Sequence, residues 1–166
     1  MGSRWATAVL LALAPACASP LLAQRRQVSV LVVPLTAIAI HDLSFGTVLP
    51  GIPVSVSTSD PMHAGQFEVE GPPAASVRVE FTLPAVLTSG GNALPVFFGG
   101  ADGFADFSHD TPPHSVVFDP HTPLIGTLGT GGLFFLKLGG TVSPSRVQIG
   151  GAYSATISIT VYNLGS

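Results

Sequence analysis

The feature that most constrains this chain is an alternation of apolar and polar side chains with a period of two. It is clearest in Tyr153–Val161, where apolar residues alternate with serine and threonine. Ala75–Leu83 alternates in the same way and places Arg78 and Glu80 on the opposite, solvated face. Since successive side chains of a strand point to opposite sides, this pattern predicts strands that bury one face.

Turn-forming residues separate the alternating segments along the whole chain. The 166 residues include 19 glycines and 15 prolines, which interrupt nearly every stretch long enough for a helix. Short strands about ten residues apart, divided by turn signals, predict an all-β sandwich or barrel. Further strands are predicted at Gln27–Ile40 (an edge strand or two pieces, because of Pro34), Ile52–Thr58, Gln66–Glu70, Leu94–Phe98, Ser115–Phe118, Leu133–Leu138 and Arg146–Ile149.

The predicted core is mostly aromatic, with two isoleucines from the C-terminal strand. Its members are Phe45, Phe67, Phe81, Phe134, Phe135, Ile157 and Ile159.

The N-terminus has the composition of a secretory signal peptide. Arg4 precedes an apolar run rich in alanine and leucine, Trp5–Leu22, and small residues follow it. Cleavage after Ala23 leaves a polar start and a single domain of residues 24–166, whereas Ala18 is the alternative cleavage site. Two prolines within the short run disfavour an uncleaved membrane anchor. The chain is therefore predicted to be exported to the periplasm, the cell surface or the medium.

Composition excludes several classes of function. Charged residues make up 9% of the chain and the net charge is −3, without a basic patch, so nucleic-acid binding is not expected. Beyond the leader, no apolar run is long enough to span a membrane. The single cysteine, Cys17, lies in the leader, so the mature chain would have no disulfide. Acylation of Cys17 is the alternative, but Ala14 stands where a larger apolar residue is usual.

One cluster of residues has the chemistry of metal ligands. His109, Asp110, His114, Asp119 and His121 fall within 13 positions, and imidazole with carboxylate suits zinc. Their spacing matches no helical pair and prolines break the segment, which favours an exposed polar loop over a metal site. No cofactor is predicted.

No catalytic set is recognisable. Ser108, His109 and Asp110 are adjacent, and neighbours on an extended chain point apart, so they cannot form a catalytic relay by themselves. The G-x-S-x-G motif of hydrolases is missing. The sequence therefore predicts a protein that is not an enzyme.

Five segments together resemble a known family. They are Leu35–Ile38, Leu43–Gly51, Phe67–Gly71, Gly139–Val142 and Gly151–Val161. In this order they resemble a bacterial secreted domain family of unknown function, numbered forty-four-oh-two, which is similar to spore coat protein U and archaic pilin domains. The resemblance covers about Val28 to Asn163. It implies an immunoglobulin-like sandwich and a structural, envelope-exposed or fimbrial subunit.

Pilin assembly suggests partners for such a domain. A sandwich that lacks one strand can accept an extended segment from a neighbour, and Val28, Val30 and Val32 alternate as a donor strand would. Other copies, pilus subunits or a periplasmic chaperone would then be partners. The same segment also fits the first strand of its own domain, and the apolar residues that follow Pro34 directly favour that alternative.

A second function from another class is a binding module. Phe104, Phe107 and Phe118 lie in the region 99–123, where aromatic rings could stack on a carbohydrate or contact a protein partner.

Overall fold

The computed structural model describes residues 34–107 and 114–165, all within the compact unit Val32–Ser166. Every element of regular structure in these two ranges is a strand, and there is no helix long and apolar enough to cross a membrane. The strands are β1 (Thr36–His41), β2 (Val54–Val56), β3 (Gly65–Glu70), β4 (Ser76–Thr82), β5 (Val86–Ser89), β6 (Asn92–Phe97), β7 (Gly103–Phe107), β8 (His114–Phe118), β9 (Leu124–Thr127), β10 (Leu133–Leu138), β11 (Gly140–Val142) and β12 (Ser158–Gly165).

The strands form three antiparallel sheets. The largest has five strands in the order β1-β3-β10-β7-β8. A four-stranded sheet has the order β2-β11-β6-β5, and a three-stranded sheet has the order β12-β4-β9. The prediction of an all-β, antiparallel protein is confirmed for the described residues.

Strand β3 shows why the alternation predicts the buried face correctly. Phe67 and Val69 are 7% and 0% exposed, and they pair in register with Leu136 and Phe134 of β10. Glu68 and Glu70 alternate with them and lie on the opposite face. Fully burying a side chain of this size contributes about 1.5–3 kcal/mol, so the period of two fixes the orientation of the strand.

The core draws on all three sheets. Phe67 and Phe134 are buried as predicted, while other predicted members pack against the cluster with partial exposure. These partly exposed members are Phe45, Phe81, Ile157 and Ile159. The prediction that Phe135 belongs to the core is wrong, because Phe135 lies half-buried on the face of β10 that also carries Lys137. Four consecutive apolar residues do not reveal which alternate pair points inward.

The two smaller sheets are connected by a bend in the chain. Pro84 interrupts what would otherwise be one long strand, since proline has no N–H to donate to a ladder. The C-terminal segment follows both halves of the bend. Ser158 pairs with Thr82 of β4, and Ser154 pairs with Thr88 of β5.

The predicted strand over Tyr153–Val161 is regular only from Ser158, where β12 begins, and another predicted strand is wrong. Residues 146–149 form no strand, and Val147 is 86% exposed in a turn. The Gln148 N–H donates to the Ser145 carbonyl at 3.1 Å, while the Gln148 side-chain oxygen accepts from the Ser145 N–H at 3.3 Å. Local side-chain bonds of this kind offer the backbone an alternative to a sheet ladder.

Candidate functional site: an apolar cleft

A cleft of about 700 Å³ opens between two segments of the chain. One wall is formed by residues 39–50, which begin in β1, and the other by residues 148–157, which precede β12. The floor is apolar and consists of core side chains from three strands and the segment that follows one of them. The floor residues are Phe67, Leu94, Val96, Phe98 and Val142.

The first wall starts where β1 loses its regular pairing. A register shift between Ala39 and His41 disturbs the ladder with β3, and residues 42–50 belong to no strand. Leu43 and Phe45 still pack against the core. Backbone hydrogen bonds hold this wall at two points, from the Ser44 N–H to the His63 carbonyl at 2.9 Å and from the Gly51 N–H to Ser145 at 3.0 Å.

The second wall is braced by two side chains. The Gln148 Nε2 donates to the Ala93 carbonyl at 3.1 Å and to the Tyr153 hydroxyl at 2.7 Å. The Tyr153 hydroxyl donates in turn to the Ile149 carbonyl at 2.7 Å. These bonds tie the loop before β12 to the start of β6, so the wall is held in place without a bound partner.

Both walls continue into edge strands. Within the described residues, β1 is hydrogen-bonded only to β3, and β12 only to β4. The two strands also contact each other. An edge strand presents unpaired N–H and C=O groups along one side. The apolar cleft therefore adjoins two strands whose backbone edges can form further hydrogen bonds.

The cleft carries a single acidic side chain in its described lining. Among the described residues that line it, Asp42 is the one carboxylate, and there is no lysine or arginine. His41 lies beside it, and its Nδ1 is 3.1 Å from the Asp42 backbone carbonyl oxygen. The Asp42 side chain is exposed at the mouth of the cleft.

The candidate metal ligands are not gathered into a site where the structure describes them. His121 contacts Asp119, with Nδ1 2.9 Å from Oδ1, and His114 stacks on Phe107 with ring centroids 4.6 Å apart. His109 and Asp110 lie outside the described residues. Residues 34–107 and 114–165 contain no group of three metal-ligating side chains. The backbone N–H of His121, followed by its ring, lowers the pKa of the Asp119 carboxyl.

The candidate aromatic contacts divide between the core and the surface. Phe107 and Phe118 are 3% and 9% exposed and belong to the core. Their rings are therefore not available to a partner, because the predicted loop contains the strands β7 and β8, whose alternation turns these rings inward. Phe104 is half-buried on the opposite face of β7, 5.7 Å from the Lys137 Nζ. The prediction of a partner contact rests on Phe104 alone.

The candidate donor residues Val28, Val30 and Val32 lie outside the described residues. Sequence reasoning did not single out the cleft or the brace formed by Gln148. The alternation predicted that Tyr153 faces the core, but it could not predict which groups bind its hydroxyl, because these depend on the tertiary structure.

Comparison with known proteins gives no relative. No protein-family model matches the chain, and no curated protein or solved structure is similar to it. The resemblance to secreted pilin-like domains therefore stays a prediction, and the cleft is the feature that bears most directly on function.

Proposed function

We propose that the protein is an exported, non-catalytic structural subunit of the bacterial cell envelope, similar in design to a pilin. The observation that carries this proposal is the cleft, in which an apolar floor lies between two segments that continue into the edge strands β1 and β12. Such a site is suited to a β-strand from another chain, because the strand can add to the edges while its alternate side chains fill the floor.

An immunoglobulin-like sandwich is the architecture that fits the observed packing best. Side chains of the five-stranded sheet share one core with side chains of both smaller sheets. The smaller sheets behave as one layer, since the C-terminal segment pairs with β4 and then bridges to β5 across the bend at Pro84. Two layers around one core are the usual form of an antiparallel β domain.

The residues before β1 supply a suitable strand. Val28, Val30 and Val32 share one side of an extended segment, so that three β-branched side chains could enter the cleft together. Each buried valine would contribute about 1.5–3 kcal/mol, in addition to the backbone hydrogen bonds at the edges. A periplasmic chaperone could protect the same cleft before assembly by the same mode of binding.

A second copy is a better source of this strand than the same chain. Leu35 lies against Gly71 and Leu128, near the end of β1 that pairs with Glu70, whereas the cleft starts at Ala39. To enter its own cleft, the chain would have to reverse direction just before β1. Residues 27–40 contain no glycine, asparagine or aspartate for a tight reversal, and a residue before proline favours an extended backbone.

A plug in the cleft tests this proposal. Gly150 lines the cleft, and a Cβ added there would meet nothing within 4 Å, so Gly150→Leu should fold normally and place a bulky side chain in the path of an inserted strand. Gly131→Leu is the matched control, because Gly131 lies outside the cleft and its Cβ would meet only Leu133 at 4.0 Å. Size-exclusion chromatography and negative-stain electron microscopy of the exported protein provide the readout.

We expect oligomers or fibres from the native protein and from Gly131→Leu. Gly150→Leu and a deletion of residues 24–33 should be monomeric, with unchanged circular dichroism. A native protein that is monomeric at every concentration would contradict the proposal. Oligomers that survive both the plug and the deletion would also contradict it.

A further inference from the structure

We infer that Asp42 orients the inserted strand by forming an ion pair with Arg25 or Arg26 of a second copy. This inference rests on the proposed function and adds a direction to it. The inserted segment would place its N-terminal end beside Asp42, and its valines would run from there toward Pro50 and Gly150.

Charge complementarity is the first argument. Asp42 is the one carboxylate among the described lining residues, and no cationic side chain lines the cleft with it. Its carboxylate pairs with no described residue. The segment 24–33 carries two charged side chains, both positive, on Arg25 and Arg26. A complementary pair at one end of an otherwise uncharged contact favours one direction of insertion over the other.

The tether of the donor gives the same direction. The Gly51 N–H donates to the Ser145 carbonyl at 3.0 Å, so the Pro50 end of the first wall lies beside the loop that leads to Gly150. A Cβ added to Gly150 would meet nothing within 4 Å, which indicates open space at this end. After cleavage of the leader, the N-terminus of a donor is free, whereas its residue 34 leads into a folded domain. We therefore place the tethered end of the donor at the open end near Gly150 and its free end beside Asp42.

The lengths agree with this arrangement. Residues 42–50 of the first wall would extend over at most about 30 Å. Arg26 to Val33 spans about 26 Å when extended. With Arg26 beside Asp42, the three valines therefore lie over the apolar floor, and Val33 reaches the open end near Gly150.

Cysteine cross-linking measures the direction of insertion. The natural Cys17 lies in the predicted leader, so the exported protein offers a clean background. Gln27→Cys is combined with Thr156→Cys, close to the Asp42 end, or with Gly150→Cys, at the open end. We expect a disulfide-linked dimer from the Gln27–Thr156 combination. Dimers from the Gln27–Gly150 combination alone would overturn the orientation but leave strand insertion intact. If neither combination forms dimers or oligomers, the proposed function fails as well.

Charge reversal tests the ion pair itself. Asp42→Arg should weaken association about tenfold. Raising the salt concentration should also weaken the association of the native protein. Adding Arg25→Asp and Arg26→Asp to Asp42→Arg should restore association to within about threefold of the native level. Glu70→Arg, which makes the same change of two charges at an exposed position outside the cleft, is the control and should have little effect.

Two results would overturn the ion pair. One is association of Asp42→Arg at native strength. The other is a loss of association that the reversed arginines do not restore, with circular dichroism showing that each variant is folded.

Discussion

Thr88 of β5 and Ser154, which belongs to no strand, exchange both of their backbone hydrogen bonds, at 2.9 Å and 3.1 Å. The bridge fixes the C-terminal segment against β5 before the regular pairing of β12 begins at Ser158. It therefore sets the position of one wall of the cleft, together with the hydrogen bonds between Gln148 and Tyr153.

Proline at position 154 should loosen this wall. Ser154→Pro removes the N–H that donates to Thr88, and we expect a loss of about 1–3 kcal/mol in the free energy of unfolding. Hydrogen exchange at the Thr88 amide should become faster, because its partner carbonyl is no longer held in place. Ser154→Ala is the control, since it keeps both backbone bonds. Native-like unfolding and exchange in Ser154→Pro would show that the bridge does not hold the wall.

The centre of the core should be far more sensitive than its rim. Phe134 is 0% exposed, so Phe134→Ala leaves a cavity and should cost about 3–5 kcal/mol. Phe97 is 58% exposed, and Phe97→Ala should cost less than about 1 kcal/mol. Urea unfolding of the two variants compares the same substitution, phenylalanine to alanine, at a buried and at an exposed position. Equal costs would mean that the core is not centred on Phe134.

The sequence predicts the fold best in β3 and β4, whereas Tyr153–Ile157 alternates equally well but precedes β12. Phe67, Val69, Val77 and Val79 face inward as the alternation requires. The prediction of buried residues fails at Phe135, because an unbroken apolar run fits either face of a strand. It also fails for residues 146–149, where hydrogen bonds between Ser145 and Gln148 form a turn.

The cleft could not be predicted from local patterns. Its second wall depends on a bond from Gln148 to the Ala93 carbonyl, two residues that are 55 positions apart in the chain. Its floor is formed by strands from different sheets, and its first wall has no regular structure. Only the donor-like alternation of Val28–Val32 pointed toward such a site, and it did not show where the acceptor lies.

Gly132 is expected to tolerate no side chain. Its φ of +72° lies in the left-handed region, and an added Cβ would be 2.3 Å from the Gly71 carbonyl oxygen. Gly132→Ala should therefore cost at least about 1–3 kcal/mol from the backbone conformation, and the contact adds to this. Gly150→Ala is the matched control, because its Cβ would meet nothing within 4 Å. Thermal unfolding of both variants provides the comparison, and equal midpoints would contradict the expectation.

The hydrogen bonds of Asp60 should make the stability of the folded protein depend on pH in the acidic range. Asp60 Oδ1 accepts hydrogen bonds from the backbone N–H of Met62 at 2.9 Å and of His63 at 3.1 Å. The Met62 N–H is the largest cause that lowers the pKa of this carboxyl below its usual 3.8, and His63 adds to it. We expect nuclear magnetic resonance titration to show this lowered pKa, and His63→Ala to retain much of the shift.

A carboxyl whose pKa is lower in the folded state stabilises the fold above its unfolded pKa. This stabilisation disappears as the pH falls through the folded value. Asp60→Asn should therefore be less stable than the native protein at pH 7, and the difference should shrink in strong acid, where Asp60 is protonated. Urea unfolding at both pH values measures the difference. Two results would contradict the role assigned to the Met62 and His63 hydrogen bonds. One is a difference in the free energy of unfolding between the two proteins that stays constant down to strong acid. The other is an Asp60 pKa at or above 3.8.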